Sequence, residues 1–470
     1  MAKTFAGIVV CFTLLAQLLV GASGVSKARP PVPPADEERP NILLFVTDDQ
    51  RAQGTMAVLP AVRRWFGEQG TEFTNTYATT PLCCPSRASI LTGRYPHNHG
   101  VRQNGLDAVK HLNFAGTLPA YLQRAGYRTA MFGKYFNKWP RDRAPRHFDR
   151  WAISSHAYEN ARFGIGGREK VVPGYATHFI SDRATNFVED ASREREPWFL
   201  YVAPLAPHAP FTPERAYKDA PLPERIPDPS EGEEDLSDKP PWVANHRLVP
   251  LKRTEWRYRG QMRTLMSVND MVDRVMTKLD AVGEAENTLA IFMSDNGFLW
   301  GEHGLGNKRQ PYLPSIEVPL FVRWPQHFAA GATDTRLAAN VDITPTVLEA
   351  AGVSRKKPLD GLSLLADEQR RMLFLEYESD FGRPGRLPSW AAVLTHTEQY
   401  IEYYSESGVE VFREYYDLLR DPAQLVNLLA DADGLNDPPA PLLDLFERAV
   451  ERGKRCRGRS CTMSGAPLSQ

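Results

Sequence analysis

The sequence has no excess of charge of either sign. It has 470 residues, and its 56 lysines and arginines are balanced by 57 aspartates and glutamates, for a formal net charge of -1. This balance gives no support to a nucleic acid or another polyanion as a partner of the whole surface. The locally basic run RGKRCRGR, Arg452–Arg459, is interpreted as a solvated end.

Long apolar runs are scarce as well. The stretch FAGIVVCFTLLAQLLVGA, residues 5–22, is short for a membrane span and is interrupted by Gln17, so no stable membrane span is expected. Lys3 precedes this stretch and the small residues ASG follow it, which predicts a signal peptide over residues 1–24. A stiff proline-rich linker is predicted over residues 25–40. We therefore expect a secreted or extracytoplasmic protein, and the absence of any Asn-x-Ser/Thr sequon favours a bacterial one.

Cysteine is also rare, with five residues in the chain. Cys11 belongs to the predicted signal peptide. Cys456 and Cys461 lie close together near the end of the chain, and an oxidising compartment predicts a disulfide between them. The adjacent pair Cys83 and Cys84 remains. Vicinal cysteines rarely bridge each other because the small ring is strained, so we expect one of the pair to have a chemical role.

Apolar segments alternate with longer helical patterns along most of the chain. Helical periodicity covers residues 116–126, 176–191 and 255–283. Continuous apolar runs, typical of a sheet buried on both faces, predict strands at Asn41–Asp49, Tyr127–Tyr135, Pro197–His208, Asn287–Gly297 and Val318–Pro325. The alternation predicts an α/β domain over residues 41–363, with a large, mostly parallel sheet between helices.

Two further regions have a different composition. Residues 219–250 are rich in proline, aspartate and glutamate and predict a long surface excursion. From residue 364 onward apolar and polar residues alternate, and a helical pattern follows. This predicts a small C-terminal α+β domain over residues 364–470, with an antiparallel sheet and a helix.

Four of the predicted strands end in polar side chains. These are Asp48 with Asp49, then Lys134, then His208, and finally Asp295 with Asn296. Taken singly, each has a structural explanation, because aspartate commonly caps a turn and a lone histidine is commonly a hydrogen-bonded structural residue. However, the carboxyl ends of parallel strands gather at one edge of a sheet, where ligands bind. Four polar ends together therefore favour a functional site.

The chemistry of this set is that of a receptor for a tetrahedral oxyanion. The oxygens of Asp48, Asp49, Asp295 and Asn296 suit Ca²⁺, or Mg²⁺ as the alternative, rather than zinc. Cations and donors would come from Arg87, Lys134, His208 and Lys308. Pro85 suits the first turn of a helix, which places Cys83 just before a helix N-terminus, where an anion is favoured. We expect sulfate or phosphate to bind beside residue 83.

Several segments of the chain are similar to the motifs of one enzyme family. The segment CCPSRASILTG, Cys83–Gly93, resembles the Cys-x-Pro-Ser-Arg-x-x-x-Leu-Thr-Gly signature of the type I sulfatases. That signature is long and specific. The segments RPNILLFVTDDQ, GKYFNKW, APLAPHAPF, SDNG and GEHGLGNK follow in the family's order, and YDLLRDPAQLVNL is similar to its C-terminal motif.

The resemblance implies an alkaline-phosphatase-like fold and a formylglycine-dependent mechanism. In such enzymes a maturation enzyme oxidises the first cysteine of the signature to the aldehyde formylglycine, and that residue is Cys83 here. Cys84 takes the variable position and would be a small buried side chain. One hydroxyl of the hydrated aldehyde attacks sulfur with help from the metal, and the other then expels sulfate.

The resemblance also implies roles for the remaining residues. The metal, Ca²⁺, would be held by Asp48, Asp49, Asp295 and Asn296, with the modified Cys83 as a further ligand. Arg87 would orient the aldehyde hydrate. Lys134 and Lys308 would bind sulfate oxygens. His208 would lie near the leaving oxygen as a donor or general acid, with His303 as a further contributor.

One position departs from the pattern. Many family members have Gly-Lys-x-His where this chain has Gly133-Lys134-Tyr135-Phe136, so a histidine that helps to bind sulfate is missing. Asn137 lies nearby and is a candidate for substrate binding. The signature, GKYFNKW and the Cys-x4-Cys tail together resemble the N-acetylglucosamine-6-sulfatases more than the arylsulfatases.

Three functions follow from these observations. The first is a sulfatase that acts on sulfated glucosamine or N-acetylglucosamine. The second is an arylsulfatase, or a phosphodiester or phosphonate ester hydrolase of the same superfamily. A phosphoester has an extra negative oxygen, so one more cationic partner would help to bind it. The third is an inactive carbohydrate-binding relative whose Cys83 is not converted. The charges in the pocket and the state of residue 83 separate these functions.

Overall fold

The computed structural model describes residues 39–355, 357–380 and 387–464. The predicted signal peptide, residues 1–24, and the predicted linker up to residue 38 lie outside the described residues. Within the described ranges, no helix is both long enough and apolar enough to cross a membrane.

A ten-stranded mixed sheet forms the centre of the fold. Its strands, in chain order, are β1 (Asn41–Thr47), β2 (Thr71–Tyr77), β3 (Arg128–Gly133), β4 (Arg150–Ser154), β5 (Arg162–Ile165), β6 (Arg168–Val171), β7 (Trp198–Ala203), β8 (Thr288–Ser294), β9 (Leu320–Arg323) and β10 (Ala332–Ala339). The spatial order is β10-β2-β9-β8-β1-β7-β3-β4-β5-β6.

The helices that accompany the two sheets vary widely in length. They are α1 (Pro60–Val62), α2 (Cys83–Thr92), α3 (Pro96–His99), α4 (Leu106–Val109), α5 (Leu118–Arg124), α6 (Ala176–Ala191), α7 (Pro241–Ala244), α8 (Leu251–Ala281), α9 (Leu313–Ile316), α10 (Ile343–Ala350) and α11 (Ala440–Arg455). The three predicted helical stretches correspond to α5, α6 and α8.

The strands in the middle of the sheet are parallel. β8, β1, β7, β3 and β4 pair in parallel, so their carboxyl ends lie at one edge. β9 runs antiparallel to both β8 and β2, and β5 and β6 form an antiparallel edge. The predicted mostly parallel sheet is thus confirmed, and each of the five predicted strands is present. The sequence patterns did not indicate β2, β4, β5, β6 or β10, whose residues are partly exposed.

Burial on both faces explains why β1 is apolar throughout. Leu43 and Phe45 face one core with residues of α6 and α8, such as Ile180 and Val268. Ile42, Leu44 and Val46 face a second core with residues of α2, α5 and α10. Because successive side chains of a strand point to opposite faces, both sets must be apolar.

A small antiparallel sheet follows the large one. Its strands β11 (Leu373–Tyr377), β12 (Ser389–Leu394), β13 (Glu398–Tyr404) and β14 (Glu410–Asp417) pair in sequential order. One face packs with α11 through Phe374, Val393 and Phe446. The other face shares a core with Tyr77 and Leu337 of the large sheet. Because the two sheets share this core, the division at residues 363 and 364 stays a prediction.

The C-terminal segment contains the predicted disulfide. Cys456, at the end of α11, is joined to Cys461. Cys83 and Cys84 are both free and buried, as expected for vicinal cysteines that do not bridge each other.

The proline-rich excursion at residues 219–250 contains α7 and otherwise irregular backbone. Its surface character is only partly as predicted. Ile226 is 90% exposed, whereas Val243 is wholly buried in the core that the two sheets share. The Lys239 ammonium is buried as well and donates to the main-chain oxygen of Leu425. The excursion therefore ties the small sheet to the rest of the molecule.

Gly133 holds the end of β3 close to β7. It has a φ of +113°, and a Cβ added there would lie 1.9 Å from the main-chain oxygen of Ala203. The next residue, Lys134, donates its amide to that same oxygen at 2.7 Å. Only glycine fits this position, because a side chain would both clash and impose strain.

We expect Gly133→Ala to lower the free energy of unfolding by more than about 3 kcal/mol, since backbone strain and a main-chain clash add together. Gly174→Ala is the matched control, because Gly174 also has a positive φ, +87°, but nothing lies within 4 Å of an added Cβ. The control should cost only about 1 kcal/mol. Denaturant unfolding of both variants measures the difference, and equal losses would contradict the explanation from close approach.

Candidate active site

The carboxyl ends of β1 and β8 bring four polar side chains into one buried cluster. The Asp295 amide donates to the main-chain oxygen of Thr47 at 3.1 Å, and the Asp49 amide donates to Asp295 Oδ1 at 3.1 Å. Asp48, Asp49, Asp295 and Asn296 are all at most 1% exposed. The prediction that these strand ends meet is confirmed.

Helix α2 delivers Cys83 to the same cluster. The helix begins at Cys83 itself, one residue earlier than expected, with Leu82 as its N-cap. Cys83 Sγ lies 3.6 Å from Asp48 Oδ1, 4.0 Å from Asp49 Oδ1 and 2.8 Å from Lys308 Nζ. Residue 83 thus lies at a helix N-terminus, with carboxylates and an ammonium group beside it. The helix N-terminus would stabilise an anion at this position.

Three buried cations balance the three buried carboxylates. Arg87 Nε donates to Asp295 Oδ2 at 2.8 Å, and its Nη1 donates to the main-chain oxygen of Lys134 at 3.0 Å. The Lys134 ammonium donates to Asp48, and the Lys308 ammonium donates to Asp49. Arg87 Nη2 is buried without a hydrogen-bond partner among the described residues, which leaves one donor aimed into the cluster.

These contacts determine the protonation of the cluster. Burial raises the pKa of Asp48, but the neighbouring positive charges, that of Lys134 first, outweigh burial and hold that pKa well below its usual value. Burial raises the pKa of the Cys83 thiol to about 12, although Lys134 and Lys308 act in the opposite direction. An unmodified Cys83 is therefore a neutral thiol at pH 7.

His208 lies at the more exposed side of the cluster. Its Nε2 is 3.8 Å from Asp49 Oδ2, and its side chain is 23% exposed. Its Nδ1 lies 2.6 Å from the main-chain oxygen of Ala209. Because a carbonyl oxygen can only accept, Nδ1 carries a proton, and Nε2 is the nitrogen that faces the cluster. His208 can thus reach a group bound beside Cys83.

Two of the predicted substrate-binding residues have their described contacts elsewhere. His303 is 1% exposed; its Nδ1 pairs with Glu233 at 2.6 Å, and its ring packs at a tilt against that of Tyr312, with centroids 4.2 Å apart. Asn137 contacts Cys84, since its main-chain N–H donates to Cys84 Sγ at 3.1 Å. Among the contacts between described residues, neither joins the cluster around Cys83.

The turn YPHNHG, Tyr95–Gly100, follows α2 and makes its side-chain hydrogen bonds away from the cluster. His97 Nδ1 lies 2.8 Å from Glu376, and Asn98 donates to Asp360 at 2.8 Å. These bonds tie the turn to the C-terminal region.

One histidine of the site was not predicted. His156 lies two residues beyond β4, whose carboxyl end is at the same sheet edge as that of β3. Its ring is T-shaped against that of His208, with centroids 5.8 Å apart. Burial, with the nearby charge of Lys134, lowers the pKa of His156 to about 4. Recognition of β4 as a strand would have indicated His156, but β4 is short and only partly apolar.

The oxygen donors fit a divalent cation. Asn296 Oδ1 is buried and has no hydrogen-bond partner among the described residues. Ligand atoms of Asp48, Asp49, Cys83 and His208 all lie within 4.8 Å of one another. Asp295 belongs to the predicted set but is engaged by Arg87 and by the Asp49 amide. The cluster is therefore a possible metal site of mostly hard ligands.

Comparison with known proteins agrees with this geometry. The family model described as "Sulfatase" matches residues 40–353, and the model "N-sulphoglucosamine sulphohydrolase, C-terminal" matches residues 301–436. N-acetylglucosamine-6-sulfatase of Homo sapiens is 30% identical, covering 92% of this chain and 87% of that protein. N-acetylglucosamine-6-O-sulfatase of Bacteroides thetaiotaomicron is 29% identical, covering 88% of this chain and 87% of that protein.

A further relative is named an extracellular sulfatase. The putative extracellular sulfatase Sulf-1 homolog of Caenorhabditis elegans is 35% identical, covering 69% of this chain and 48% of that protein.

A solved structure extends the similarity to the fold. It is a protein in complex with its substrate D-glucosamine-2-N,6-O-disulfate, with a TM-score of 0.73 and 26% identity, covering 89% of this chain and 98% of that one. The predicted alkaline-phosphatase-like architecture with a small antiparallel C-terminal sheet is confirmed. Because the family model matches two thirds of the residues, including the strand ends and the helix that carry the site, this chain belongs to the sulfatase family.

Proposed function

We propose that this sulfatase hydrolyses the 6-O-sulfate ester of glucosamine or N-acetylglucosamine, with formylglycine formed from Cys83 and with Ca²⁺ as its metal. The observation that carries the proposal is the position of Cys83 at the start of α2, between Asp48 and Lys308. The similarity to N-acetylglucosamine-6-sulfatases over most of the chain supports the sugar as substrate.

The charges of the cluster favour an anionic substrate once a metal is bound. Three carboxylates face three cations, so the cluster is close to neutral as it stands. A divalent cation would make it positive, and an anion bound beside residue 83 would restore the balance. Lys134 and Lys308 are the groups that would hold sulfate oxygens, since both ammonium groups lie in the cluster with Cys83 and its neighbouring carboxylates.

The side chains around residue 83 have distinct proposed roles. When formed, the formylglycine hydrate supplies one hydroxyl for attack on sulfur and a second for release of sulfate. Arg87 is fixed by Asp295 and Tyr201 and keeps one donor for the modified residue. His208 presents Nε2 to the leaving oxygen, and it donates a proton when the ring carries both protons.

Asp48, Asp49, Asp295 and Asn296, with the modified residue 83, would hold the metal. The metal supplies positive charge next to the nucleophile. We expect metal analysis of the purified protein to find one Ca²⁺ or Mg²⁺ per chain, and addition of Ca²⁺ after chelation to raise the unfolding temperature. Asp49→Ala should abolish both effects, whereas Asp107→Ala, a change at an exposed carboxylate, should not. Stoichiometric zinc without Ca²⁺ or Mg²⁺ would contradict this assignment.

The two adjacent cysteines should respond differently to substitution. Cys83→Ala should abolish turnover, because the nucleophile is lost. Cys84→Ala should keep much of the activity, because Cys84 is packed in the apolar core and its loss costs about 1 kcal/mol. Turnover assays on both folded variants make the comparison, with mass spectrometry of the peptide that carries residue 83.

Conversion of Cys83 must be measured separately, since Cys84 could matter to the maturation enzyme. A folded Cys84→Ala protein with residue 83 converted and no activity would refute the assignment of the pair. A free thiol at residue 83 in protein from the native host would instead favour the inactive carbohydrate-binding relative.

Preference among sulfate esters must come from groups around the leaving alcohol, because the chemistry at sulfur is the same for all of them. A sugar offers hydroxyl and amide groups that a polar pocket can hydrogen-bond. We expect kcat/KM for N-acetylglucosamine 6-sulfate or a heparan-type oligosaccharide to exceed that for an aryl sulfate by roughly tenfold or more. A faster aryl sulfate would defeat the sugar assignment, and a faster phosphonate monoester would favour the phosphonate hydrolase.

His156 supplies the donor that the family places two residues after the lysine. Phe136, which stands at that position, is 3% exposed and packs against Tyr135 with ring centroids 4.4 Å apart. Among the described residues, none is hydrogen-bonded to a ring nitrogen of His156, although the ring touches His208. An unpartnered donor beside His208 is placed to bind a sulfate oxygen.

We expect His156→Ala to lower kcat/KM for the sugar sulfate by roughly 10²-fold, as for loss of one positioned donor. His156→Gln should recover part of the loss, because an amide can still donate. His178→Ala is the control, since His178 is exposed and pairs with Glu214. Steady-state kinetics with unfolding temperatures tests this, and an His156→Ala enzyme as active as the control would contradict the role.

A further inference from the structure

A large cavity lies at the opposite end of the sheet from the candidate active site. It has a volume of about 1090 Å³, and Pro40, Thr92 and Ala125 are among the residues that line it. Pro40 precedes β1, whereas Asp48 follows it; Ala125 lies before β3, whereas Lys134 follows it. Thr92 ends α2, whereas Cys83 begins it. We call this space the amino-end cavity.

The amino-end cavity is separated from the active site by the length of the strands. The seven residues of β1 span about 20 Å at roughly 3.3 Å per residue. A group bound in the cavity therefore lies outside the site around Cys83. The cavity is a second location on the molecule, and none of the proposed catalytic residues lines it.

The lining of the cavity is strongly cationic. Five of its lining residues are basic, and none is aspartate or glutamate: Arg39, Arg94, Arg124, Arg355 and Lys357. Among the ion pairs of described residues, these five have one, between Arg94 and Asp360 at 3.5 Å.

Three of these arginines donate to main-chain oxygens rather than to carboxylates. Arg39 donates to the main-chain oxygen of Ala125 at 2.5 Å, Arg124 to that of Ala115 at 3.1 Å, and Arg355 to that of Lys357 at 3.3 Å. A carbonyl oxygen accepts a hydrogen bond without carrying the negative charge that would neutralise the guanidinium. In a chain whose overall charge is -1, this local excess of positive charge is unusual.

The size and polarity of the cavity indicate a polar ligand with several anionic groups. The volume reaches the upper end of the range for pockets that hold one small molecule, about 1,000 Å³. Polar side chains of Asn113 and Ser354 also line the cavity and suit the hydroxyls of a sugar. Arginine and lysine side chains bind sulfate groups by charge-assisted hydrogen bonds.

A single-stranded nucleic acid fits less well. Binding of single strands depends on aromatic faces on which bases stack. Tyr121 is the one Phe, Trp or Tyr side chain among the lining residues, and the Arg124 guanidinium already covers its ring at 4.9 Å from the centroid. The chemistry of the cavity therefore favours a sulfated sugar over bases.

We infer that the amino-end cavity is a second binding site for sulfated oligosaccharides, distinct from the active site. The identity of the glycan rests on the proposed function, because a sulfatase that acts on one sulfated sugar of a chain meets the remaining sulfated sugars as well. Occupancy of the cavity would hold a longer substrate on the enzyme between turnovers and raise its effective concentration.

The test is a binding measurement with a probe that the proposed reaction does not consume. Calorimetry would use a heparan-type oligosaccharide with N-sulfate and 2-O-sulfate groups but no 6-O-sulfate. The variant is Arg124→Ala combined with Arg355→Ala. We expect its Kd for the probe to be about tenfold weaker at physiological salt, for the loss of two charged contacts. Its turnover of N-acetylglucosamine 6-sulfate should be unchanged.

The matched control is Arg420→Ala combined with Arg448→Ala. Both of these arginines are exposed, and the control removes the same charge from the C-terminal region. Equal affinity of the cavity variant and the control would overturn the inference. Lys357→Glu, a change at an exposed lysine, provides a second variant if the first is unstable. It should also bind the probe more weakly than the wild-type protein does.

The experiment also distinguishes a different ligand from a failure of the proposed function. An oligonucleotide that binds more tightly than the glycan, in a manner that depends on Arg124 and Arg355, would overturn the sugar assignment. Inorganic sulfate that competes fully at the probe's own concentration would overturn the requirement for an oligosaccharide. If the cavity variant loses binding and the wild-type protein releases no sulfate, the proposed function is contradicted but the binding site in the cavity is supported.

Discussion

Three carboxylates that share one buried cluster repel one another, and the positions of the other groups follow from how that repulsion is balanced. Two unit charges 4 Å apart interact by about 4 kcal/mol at an effective dielectric constant of 20. Asp48, Asp49 and Asp295 are each at most 1% exposed, so water cannot screen them. Three cations in contact with them are therefore a condition for the fold as well as for the reaction.

The cations come from three separate parts of the chain. Arg87 is on α2, Lys134 follows β3, and Lys308 lies in the segment after β8. None of these elements can hold its buried charge alone, because an unpaired buried ion costs several kcal/mol. The cluster can thus form only when α2 and the strand ends assemble together. The same argument does not apply at the amino-end cavity, where cations face one another without carboxylates in the lining.

Periodicity and strand-end chemistry were sufficient to predict the centre of the site. β1, β3, β7 and β8 are continuous apolar runs, so their carboxyl ends, and with them Asp48, Lys134, His208 and Asp295, could be located from the sequence. The signature around Cys83 then supplied the helix. β4 has polar and half-exposed residues, because it lies toward the edge of the sheet, and its strand character comes from pairing with β3. His156 could not be placed without that strand.

The position of the His303 side chain could not be predicted from the sequence. Its motif matches the family, but the position of its ring depends on the excursion at residues 219–250. Glu233 from that excursion pairs with His303 Nδ1, and Tyr312 packs on the ring. No local pattern in the sequence joins two segments seventy residues apart. Contacts of this kind are set by tertiary packing, and periodicity does not encode them.

The departure from the family at Phe136 has a physical explanation in the packing around Lys134. Lys134 follows β3 and its ammonium enters the cluster. Tyr135, Phe136 and Trp139 pack on one another in the core that also buries Cys84. A histidine at residue 136 would put a polar ring into that apolar contact, with a cost for each unpaired nitrogen. The aromatic residues instead fix the turn that follows Lys134, so under the proposed function a further donor to the anion would come from a neighbouring strand end. β4 is the next strand beyond β3, and its carboxyl end leads into His156. The proposed role of His156 would thus complement the aromatic packing that occupies position 136.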